Sequence, residues 1–301
     1  MVARISEKLS TIYPRSPYSI SLHLERFCGK DSPTPCIYKN RSCRRIIQIG
    51  DNYIPYKILI QSEGWHPILR VKVFTGEETL AEETLNIIKE IYRVDFDYKK
   101  FLEKSRLLEP VYVIAMKHKG LRPTKMPNIY EALIDSIIEQ NISLQLAMKI
   151  KAAFVRSYGE MINIYGEEYY SFPTCERIKK LDPAYLKKII RVTRVKAEAI
   201  VEIAKLVESF PSMNEIEKKP YDFIEFITSV KGVGRWTAEI SIAKISKKFS
   251  VGPFTDLAVK RGFKKVLKVK TEEDMVGILK DFDEYIGLVL YLLAFEGHNR
   301  V

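Results

Sequence analysis

The chain has 301 residues, of which 46% are hydrophobic and 11% aromatic, and this composition excludes an intrinsically disordered protein. With 49 Lys and Arg against 38 Asp and Glu, the formal net charge is +11 at pH 7, which favours a polyanionic partner such as nucleic acid. The sequence contains neither an apolar run long enough for a membrane span nor a signal-peptide core. We therefore expect no membrane association and a cytoplasmic location, or a nuclear one in a eukaryote.

The cysteines and histidines lack the spacing of a metal site. Cys28, Cys36, Cys43 and Cys175 form no C-x-x-C pair, and the four histidines are scattered, so neither a zinc site nor an iron–sulfur cluster is expected. Three of the cysteines lie close together in sequence, which leaves a disulfide open, although a reducing cytosol disfavours it.

The first part of the chain has the alternating pattern of half-buried strands. Predicted strands lie at residues 19–24, 45–49, 56–60 and 70–74, with turn-forming residues between them. This pattern predicts an antiparallel sheet with one solvent-facing side. Residues 79–94 then change to helical periodicity, so a helix is expected to cover the sheet.

After residue 96 the periodicity is helical almost throughout. Ser143, Thr174, Asp182 and Thr193 are candidate N-caps. We predict an α+β protein with a β-rich N-terminal domain at residues 1–95 and an all-α domain at residues 96–301. The second domain is the candidate site of function.

A glycine hairpin precedes one of the predicted helices. Gly232 and Gly234 flank Val233, and the helix begins near Arg235. A backbone without Cβ atoms can approach a ligand closely, and a helix start offers free N–H groups, so residues from Lys231 to Arg235 can seat a phosphate. A structural helix–turn–helix corner would use the same glycines, and both interpretations stay open.

The helix after the hairpin has two apolar stripes on opposite sides. One stripe consists of Trp236, Ile240 and Ala243, and the other of Ala238, Ile242 and Ile245. Such a helix lies between two layers. One layer is core, and the other is either a cleft with Trp236 at its mouth or a second core face.

Asp256 stands at the start of the following helix, shortly after Gly252 and Pro253. Helix N-capping is the most common role of an aspartate at such a position. A catalytic carboxylate is the alternative, and the residues around Asp256 bear on the choice.

Several stretches together resemble the helix–hairpin–helix DNA glycosylase superfamily, most closely its 3-methyladenine DNA glycosylase II branch. They are GVGRWTA at 232–238, TDLAVKRGF at 255–263, GLRP at 120–123, YEALIDSIIEQNIS at 130–143, FPT at 172–174 and RVKAEAI at 194–200. The resemblance covers roughly residues 96–296 and places the helix–hairpin–helix motif at about residues 221–247.

The resemblance implies a monofunctional DNA glycosylase of base excision repair. Such an enzyme hydrolyses the N-glycosidic bond of a damaged base, here an alkylated one such as 3-methyladenine, after flipping it from duplex DNA. Asp256 would stabilise the cationic sugar and assist water. Trp236 replaces the lysine nucleophile of strand-cutting branches, and Lys244 is expected to point elsewhere, so no lyase activity is expected. A glycosylase for oxidised or deaminated bases and a non-catalytic DNA-binding protein are the alternatives.

The resemblance also assigns roles outside the chemistry. Trp236 and Tyr285 would line the base pocket, while Asn141, with Gln140 beside it, would fill the gap in the DNA, unless these two residues simply end one helix. The main-chain carbonyls of Thr228, Val230 and Val233 would hold Na⁺ or K⁺, with no other cofactor required and no iron–sulfur cluster. The protein is expected to act as a monomer.

Two basic clusters are candidates for phosphate contact or for a solvated face. They are Lys117, Lys119, Arg122 and Lys125 before the opening helix of the resemblance, and Lys260, Arg261, Lys264, Lys265 and Lys268 after Asp256.

Overall fold

The computed structural model describes residues 6–298. In chain order, a five-stranded sheet is followed by a mostly helical region. The first elements are β1 (Lys8–Ile12), α1 (Ser21–Phe27), β2 (Ile37–Lys39), β3 (Ser42–Ile49), β4 (Asn52–Ser62), β5 (Ile68–Val73) and α2 (Glu78–Ile91). Then follow α3 (Tyr98–Ser105), α4 (Glu109–Lys117), α5 (Ile129–Glu139), α6 (Leu144–Tyr158), β6 (Met161–Ile164), β7 (Glu167–Tyr170), α7 (Cys175–Ile178), α8 (Pro183–Ile190) and α9 (Arg194–Leu206). The last are α10 (Met213–Lys218), α11 (Pro220–Thr228), α12 (Arg235–Ile245), α13 (Leu257–Gly262), α14 (Glu272–Leu279) and α15 (Ile286–His298).

The sheet is antiparallel, with the strand order β1-β5-β4-β3-β2. Along β5, Leu69, Val71 and Val73 are buried because alternate residues face α2, where Ala81 and Ile88 are buried in the same cluster. The predicted antiparallel sheet with a covering helix is thereby confirmed.

The predicted strand at residues 19–24 is wrong, because this segment leads into the helix α1. Ile20 and Leu24 are buried four residues apart, while Leu22 between them is 43% exposed. The same apolar spacing fits an alternating strand and one turn of helix. The carboxylate of Glu63 accepts the N–H groups of Ile20 and Ser21 and so satisfies the helix start.

A short β-hairpin, β6–β7, interrupts the region that was expected to be all helical. Ile164 and Tyr169 of this hairpin pack with Ile46 and Phe74 of the sheet region. The backbone oxygen of Glu168 accepts a hydrogen bond from Arg44. The face of the sheet that was expected to be solvated is therefore partly covered.

The helical region contains two clusters of buried side chains. One includes α5, α6, α8, α9, α11 and α12, and the other includes α3, α4, α13, α14 and α15. The predicted N-caps Ser143, Thr174, Asp182 and Thr193 are confirmed, since each side chain accepts a backbone N–H of the following helix. No helix within residues 6–298 is long and apolar enough to cross a membrane.

Arg122 is a structural residue and not a surface contact for phosphate. Its guanidinium is fully buried and donates hydrogen bonds to backbone oxygens of Pro17, Arg93, Phe96 and Gly120. These carbonyls lie on segments that are distant in sequence, so the buried cation holds them together. The prediction of a phosphate contact at Arg122 is therefore wrong.

The structure contains the disulfide that the sequence left open. Cys28, the residue after α1, forms a disulfide with Cys36, the residue before β2. The sulfur of Cys43 on β3 lies close by, and the three sulfur atoms are within 4.8 Å of one another. Cys43 and Cys175 are free cysteines.

Candidate active site

A cavity of about 300 Å³ lies where the sheet region and the two helical clusters meet. The sheet region contributes residues such as His23, Phe27 and Arg45 to its wall. The helices α5, α6 and α12 contribute a second side, and the segment from Phe249 to Ala294 contributes a third. Side chains from three separate regions of the chain therefore converge on this cavity.

Asp256 lies in this wall and its carboxylate is held by three N–H donors. Oδ1 accepts the backbone N–H groups of Ala258 at 2.8 Å and Val259 at 3.0 Å, which makes Asp256 the N-cap of α13. Oδ2 accepts the indole N–H of Trp236 at 3.1 Å. N-capping and the position in the cavity therefore coexist, because the two oxygens have different partners.

The helix α12 has the two-sided character that its sequence predicts. Ala238, Ile242 and Ile245 are buried in the helical core, whereas Trp236 and Ile240 line the cavity. The sequence left open whether the stripe with Trp236 faces a cleft or a second core, and the structure shows that it faces a cavity. Trp236 has its ring in the wall and its N–H on Asp256, so one side chain can both contact a ligand and orient the carboxylate.

One side of the cavity is ionic. Asp135 and Glu139 of α5 each form ion pairs with both Lys151 of α6 and Lys244 of α12, at 2.6 to 2.7 Å. Burial opposes the charge of Glu139, but the two lysines hold its pKa well below the usual range. Lys244 was expected to point away from the site. It lies in the cavity wall instead, because it meets these carboxylates there.

A second part of the wall, here called the neutral side, contains the uncharged groups of His23 and Tyr291, which the sequence did not single out. His23 of α1 and Tyr291 of α15 are 268 positions apart, and the ring nitrogen Nδ1 lies 3.0 Å from the tyrosine hydroxyl. Nε2 of His23 lies 2.9 Å from the hydroxyl of Thr124. Burial, assisted by the charges of Arg93, Arg26 and Lys244, lowers the pKa of His23 to about 3.

Tyr285 does not line this cavity. Its ring packs against Phe96 and Phe101 in the second helical cluster. A backbone kink at Asp283, where φ is 47°, precedes Tyr285, which directly adjoins the start of α15 at Ile286. The prediction that Tyr285 lines the base pocket is therefore wrong for this cavity, and Tyr291 of α15 lines the cavity instead.

The two hairpin glycines have different surroundings. Gly232 has φ of 91°, and a Cβ there would lie 2.8 Å from a side-chain carbon of Val195 on α9. Gly234 has open space where a Cβ would stand and provides no side-chain cap to α12. The hairpin thus packs against α9 at Gly232 and leaves the helix start accessible at Gly234. Lys231 and Arg235 are exposed beside it, and Arg235 pairs with Glu239.

Gln140 and Asn141 follow α5 and have different environments. The amide nitrogen of Gln140 donates to the backbone oxygen of Gly232 and to the hydroxyl of Thr237, both at 2.8 Å. Lys196 donates to the backbone oxygens of Ile138 and Gln140 and so satisfies the end of α5. Asn141 is exposed, with φ of 53°, which leaves its side chain accessible to a ligand.

The carbonyl groups at Thr228, Val230 and Val233 suit a hard monovalent cation in chemical type. Val230 accepts the N–H of Val233 at 2.9 Å, which closes the hairpin turn. A carbonyl oxygen has a second lone pair for an ion, so this bond does not exclude a cation. The cation remains a prediction.

Residues 134–286, slightly more than half of the chain, match the family described as HhH-GPD superfamily base excision DNA repair protein. The chain belongs to this superfamily. The match includes the second half of α5, the hairpin, Trp236 and Asp256. The predicted membership in the helix–hairpin–helix glycosylase superfamily is confirmed.

Known proteins with similar sequence or structure agree with the family. A DNA-3-methyladenine glycosylase of Bacillus subtilis is 30% identical over 185 residues, and the match spans 61% of each chain. A solved 3-methyladenine DNA glycosylase from Archaeoglobus fulgidus has a TM-score of 0.82 at 24% identity, over 97% of this chain and 100% of that one. An 8-oxoguanine glycosylase/lyase of Clostridium acetobutylicum bound to double-stranded DNA has a TM-score of 0.73 at 17% identity, over 99% of both chains. The two structures show the shared fold.

Proposed function

We propose that this protein is a monofunctional DNA glycosylase that removes alkylated bases, such as 3-methyladenine, from duplex DNA. The observation that carries the proposal is the Asp256 carboxylate, fixed by three N–H donors in the wall of a cavity beside an indole ring. The B. subtilis relative, named a DNA-3-methyladenine glycosylase, supports the same substrate class.

The chemistry follows from charge and position. Cleavage of an N-glycosidic bond develops positive charge on the sugar, and a fixed carboxylate nearby stabilises that charge without reorganising. The same carboxylate can orient the attacking water. Trp236 offers an aromatic face for an electron-poor alkylated base. A cavity of about 300 Å³ has room for one base removed from the helix stack.

Within residues 6–298, the three lysines that line the cavity, Lys125, Lys151 and Lys244, are each paired with a carboxylate, which favours hydrolysis without strand cleavage. A Schiff base requires a neutral amine, but Lys244 donates to Asp135, Glu139 and Ser136. Lys151 likewise has two carboxylate partners, which raise its pKa above the usual range despite burial. We therefore expect no covalent adduct when the protein and its damaged DNA are treated with borohydride. A trapped adduct would contradict the monofunctional assignment.

The hairpin is the proposed grip on the DNA backbone. The open position at Gly234 and the uncapped start of α12 can receive a phosphate oxygen, with Lys231 and Arg235 beside it. Asn141 is the proposed residue that enters the gap left by the flipped base. A Na⁺ or K⁺ ion on the carbonyls of Thr228, Val230 and Val233 would stiffen the turn, and no other cofactor is proposed.

The decisive experiment replaces Asp256 by asparagine. Asn retains the capacity to cap α13, so the fold should persist while the charge is removed. We expect base release from alkylated duplex DNA to fall by about 100- to 1000-fold, with DNA binding near that of the wild type. Release is measured by chromatography of the free bases under single-turnover conditions.

Asp182→Asn is the matched control, because Asp182 is also an aspartate N-cap but begins α8 and does not line the cavity. This control should retain wild-type activity. Full activity of Asp256→Asn, or equal loss in both variants, would contradict the proposed mechanism.

A further inference from the structure

Three side chains from distant parts of the chain form a continuous hydrogen-bonded series in the cavity wall. Thr124 precedes α5, His23 belongs to α1 and Tyr291 belongs to α15. The hydroxyl of Thr124 meets Nε2 of His23 at 2.9 Å, and Nδ1 of His23 meets the hydroxyl of Tyr291 at 3.0 Å. All three residues line the cavity that also contains Trp236 and Asp256.

The imidazole in the middle of this series is neutral. His23 is only 8% exposed, and burial with nearby positive charges lowers its pKa to about 3. A neutral imidazole has one N–H donor and one acceptor nitrogen, and either nitrogen can carry the proton. The hydroxyls of Thr124 and Tyr291 can each donate or accept. The series therefore has two complete arrangements that satisfy both ring nitrogens.

The two arrangements present opposite groups to the cavity. With the proton on Nε2, His23 donates to Thr124, and the Tyr291 hydroxyl donates to Nδ1, which leaves the tyrosine oxygen as an acceptor. With the proton on Nδ1, His23 donates to the Tyr291 oxygen, Thr124 donates to Nε2, and the tyrosine O–H is free to donate. The change moves protons within the series and alters no charge.

We propose that Tyr291 reads the edge of the flipped base, accepting from an exocyclic amino group or donating to an exocyclic oxygen according to the state of His23 and Thr124. The inference rests on the proposed function and extends it to both amino and oxo purine lesions. Tyr291 is the residue that determines specificity, whereas His23 and Thr124 are positioning residues. A fixed donor or acceptor would accept one class and leave a buried polar group unpaired with the other.

The test uses duplex DNA that carries both 3-methyladenine, with an exocyclic amino group, and 7-methylguanine, with an exocyclic oxygen. Both bases are released from one sample and quantified by chromatography, so their ratio is an internal measure. Wild-type protein should release both. Tyr291→Phe removes the reading hydroxyl and should slow release of each base by about 3- to 10-fold.

Thr124→Val should change the ratio of the released bases in one direction, which a purely structural role of Thr124 would not do. Without the threonine hydroxyl, a proton on Nε2 would be an orphaned buried donor, which is rarer in proteins than an unpaired acceptor. The proton should move to Nδ1, and Tyr291 should become a donor. We expect the ratio of 7-methylguanine to 3-methyladenine to rise by about 3- to 10-fold. The same substitution in a Tyr291→Phe background should leave the ratio unchanged.

Three further variants are controls for the change in the ratio of released bases. Thr124→Ser retains a hydroxyl and should preserve the wild-type ratio. Thr124→Ala removes the hydroxyl as valine does and should shift the ratio in the same way, so it separates loss of the hydroxyl from a disturbance of packing by valine. Thr84→Val removes a buried hydroxyl of α2 outside the cavity and should have no effect on the ratio. Thermal unfolding checks that each variant is folded.

The inference is overturned, and the proposed function is not, if the ratio of the two bases is unchanged in both Thr124→Val and Thr124→Ala. The same holds if Thr124→Val shifts the ratio equally in the Tyr291→Phe background. If the wild-type protein releases neither base, the proposed function is overturned, and this inference with it.

Discussion

The two sides of the cavity satisfy their polar groups in different ways. On the ionic side, Asp135 and Glu139 each meet two lysine ammonium groups, so the charges bond to one another. On the neutral side, His23 and Tyr291 are linked by a single hydrogen bond between uncharged groups, and the tyrosine hydroxyl retains capacity for a further partner. The ionic side therefore fixes helices, whereas the neutral side can respond to a ligand.

The largest expected effect comes from breaking the ionic side. Asp135→Asn leaves Lys151 and Lys244 with one fewer buried countercharge, and an uncompensated buried charge is strongly destabilising. We expect the free energy of unfolding to fall by about 3 to 5 kcal/mol. Urea denaturation followed by circular dichroism measures this change.

Two other substitutions calibrate that result. Tyr291→Phe, on the neutral side, should cost about 1 kcal/mol. Glu198→Gln breaks an exposed i,i+4 pair with Arg194 and should cost at most about 0.5 kcal/mol. Equal losses for Asp135→Asn and Tyr291→Phe would remove the distinction between the two sides.

A second prediction concerns acid stability and His23. Its folded-state pKa of about 3 lies below the value near 6.5 of the unfolded chain, so the unfolded state takes up the proton first as the pH falls. Stability from this residue is complete above about pH 6.5 and is lost progressively toward pH 3, by about 1.4 kcal/mol per pH unit.

His23→Gln should lack this component, and denaturation curves at pH 7, 6 and 5 test it. The difference in unfolding free energy between wild type and variant should shrink steadily with acidification. A difference that is constant across this range would show that His23 does not stay neutral in the folded protein.

The smallest expected effect concerns the orientation of Asp256. Trp236→Phe keeps an aromatic ring but removes the N–H that binds Oδ2 at 3.1 Å. We expect single-turnover base release to slow by about 3- to 10-fold, since two backbone donors still hold Oδ1. Trp65→Phe, at an exposed tryptophan outside the cavity, is the control. An unchanged rate in Trp236→Phe would mean that the indole does not position the carboxylate.

Much of the fold was predictable because its signals are local. N-caps such as Ser143 and Thr193 lie within three residues of the N–H groups that they bind. The apolar stripes of α12 are likewise a property of eleven consecutive residues. Trp236 and Asp256 were found through two short motifs, each of which is itself a local signal in the sequence.

The parts that the sequence did not reveal depend on contacts between distant segments. His23 gains its environment from Tyr291 and Thr124, which no periodicity connects to it. Lys244 reads as a polar surface residue until Asp135 and Glu139 of α5 are brought beside it. Tyr285 was misplaced because its role came from the resemblance alone, and the sequence around it gives no sign of the backbone kink at Asp283.

Gln140 links the loop after α5 to the glycine hairpin and to α12. One amide nitrogen joins the loop that carries Asn141 to both the turn and the first turn of α12, through Gly232 and Thr237. The proposed gap-filling residue and the proposed phosphate grip are therefore held at a constant separation. A duplex that contacts both sites would have to fit this separation, and a lesion that weakens base stacking would make the required deformation easier.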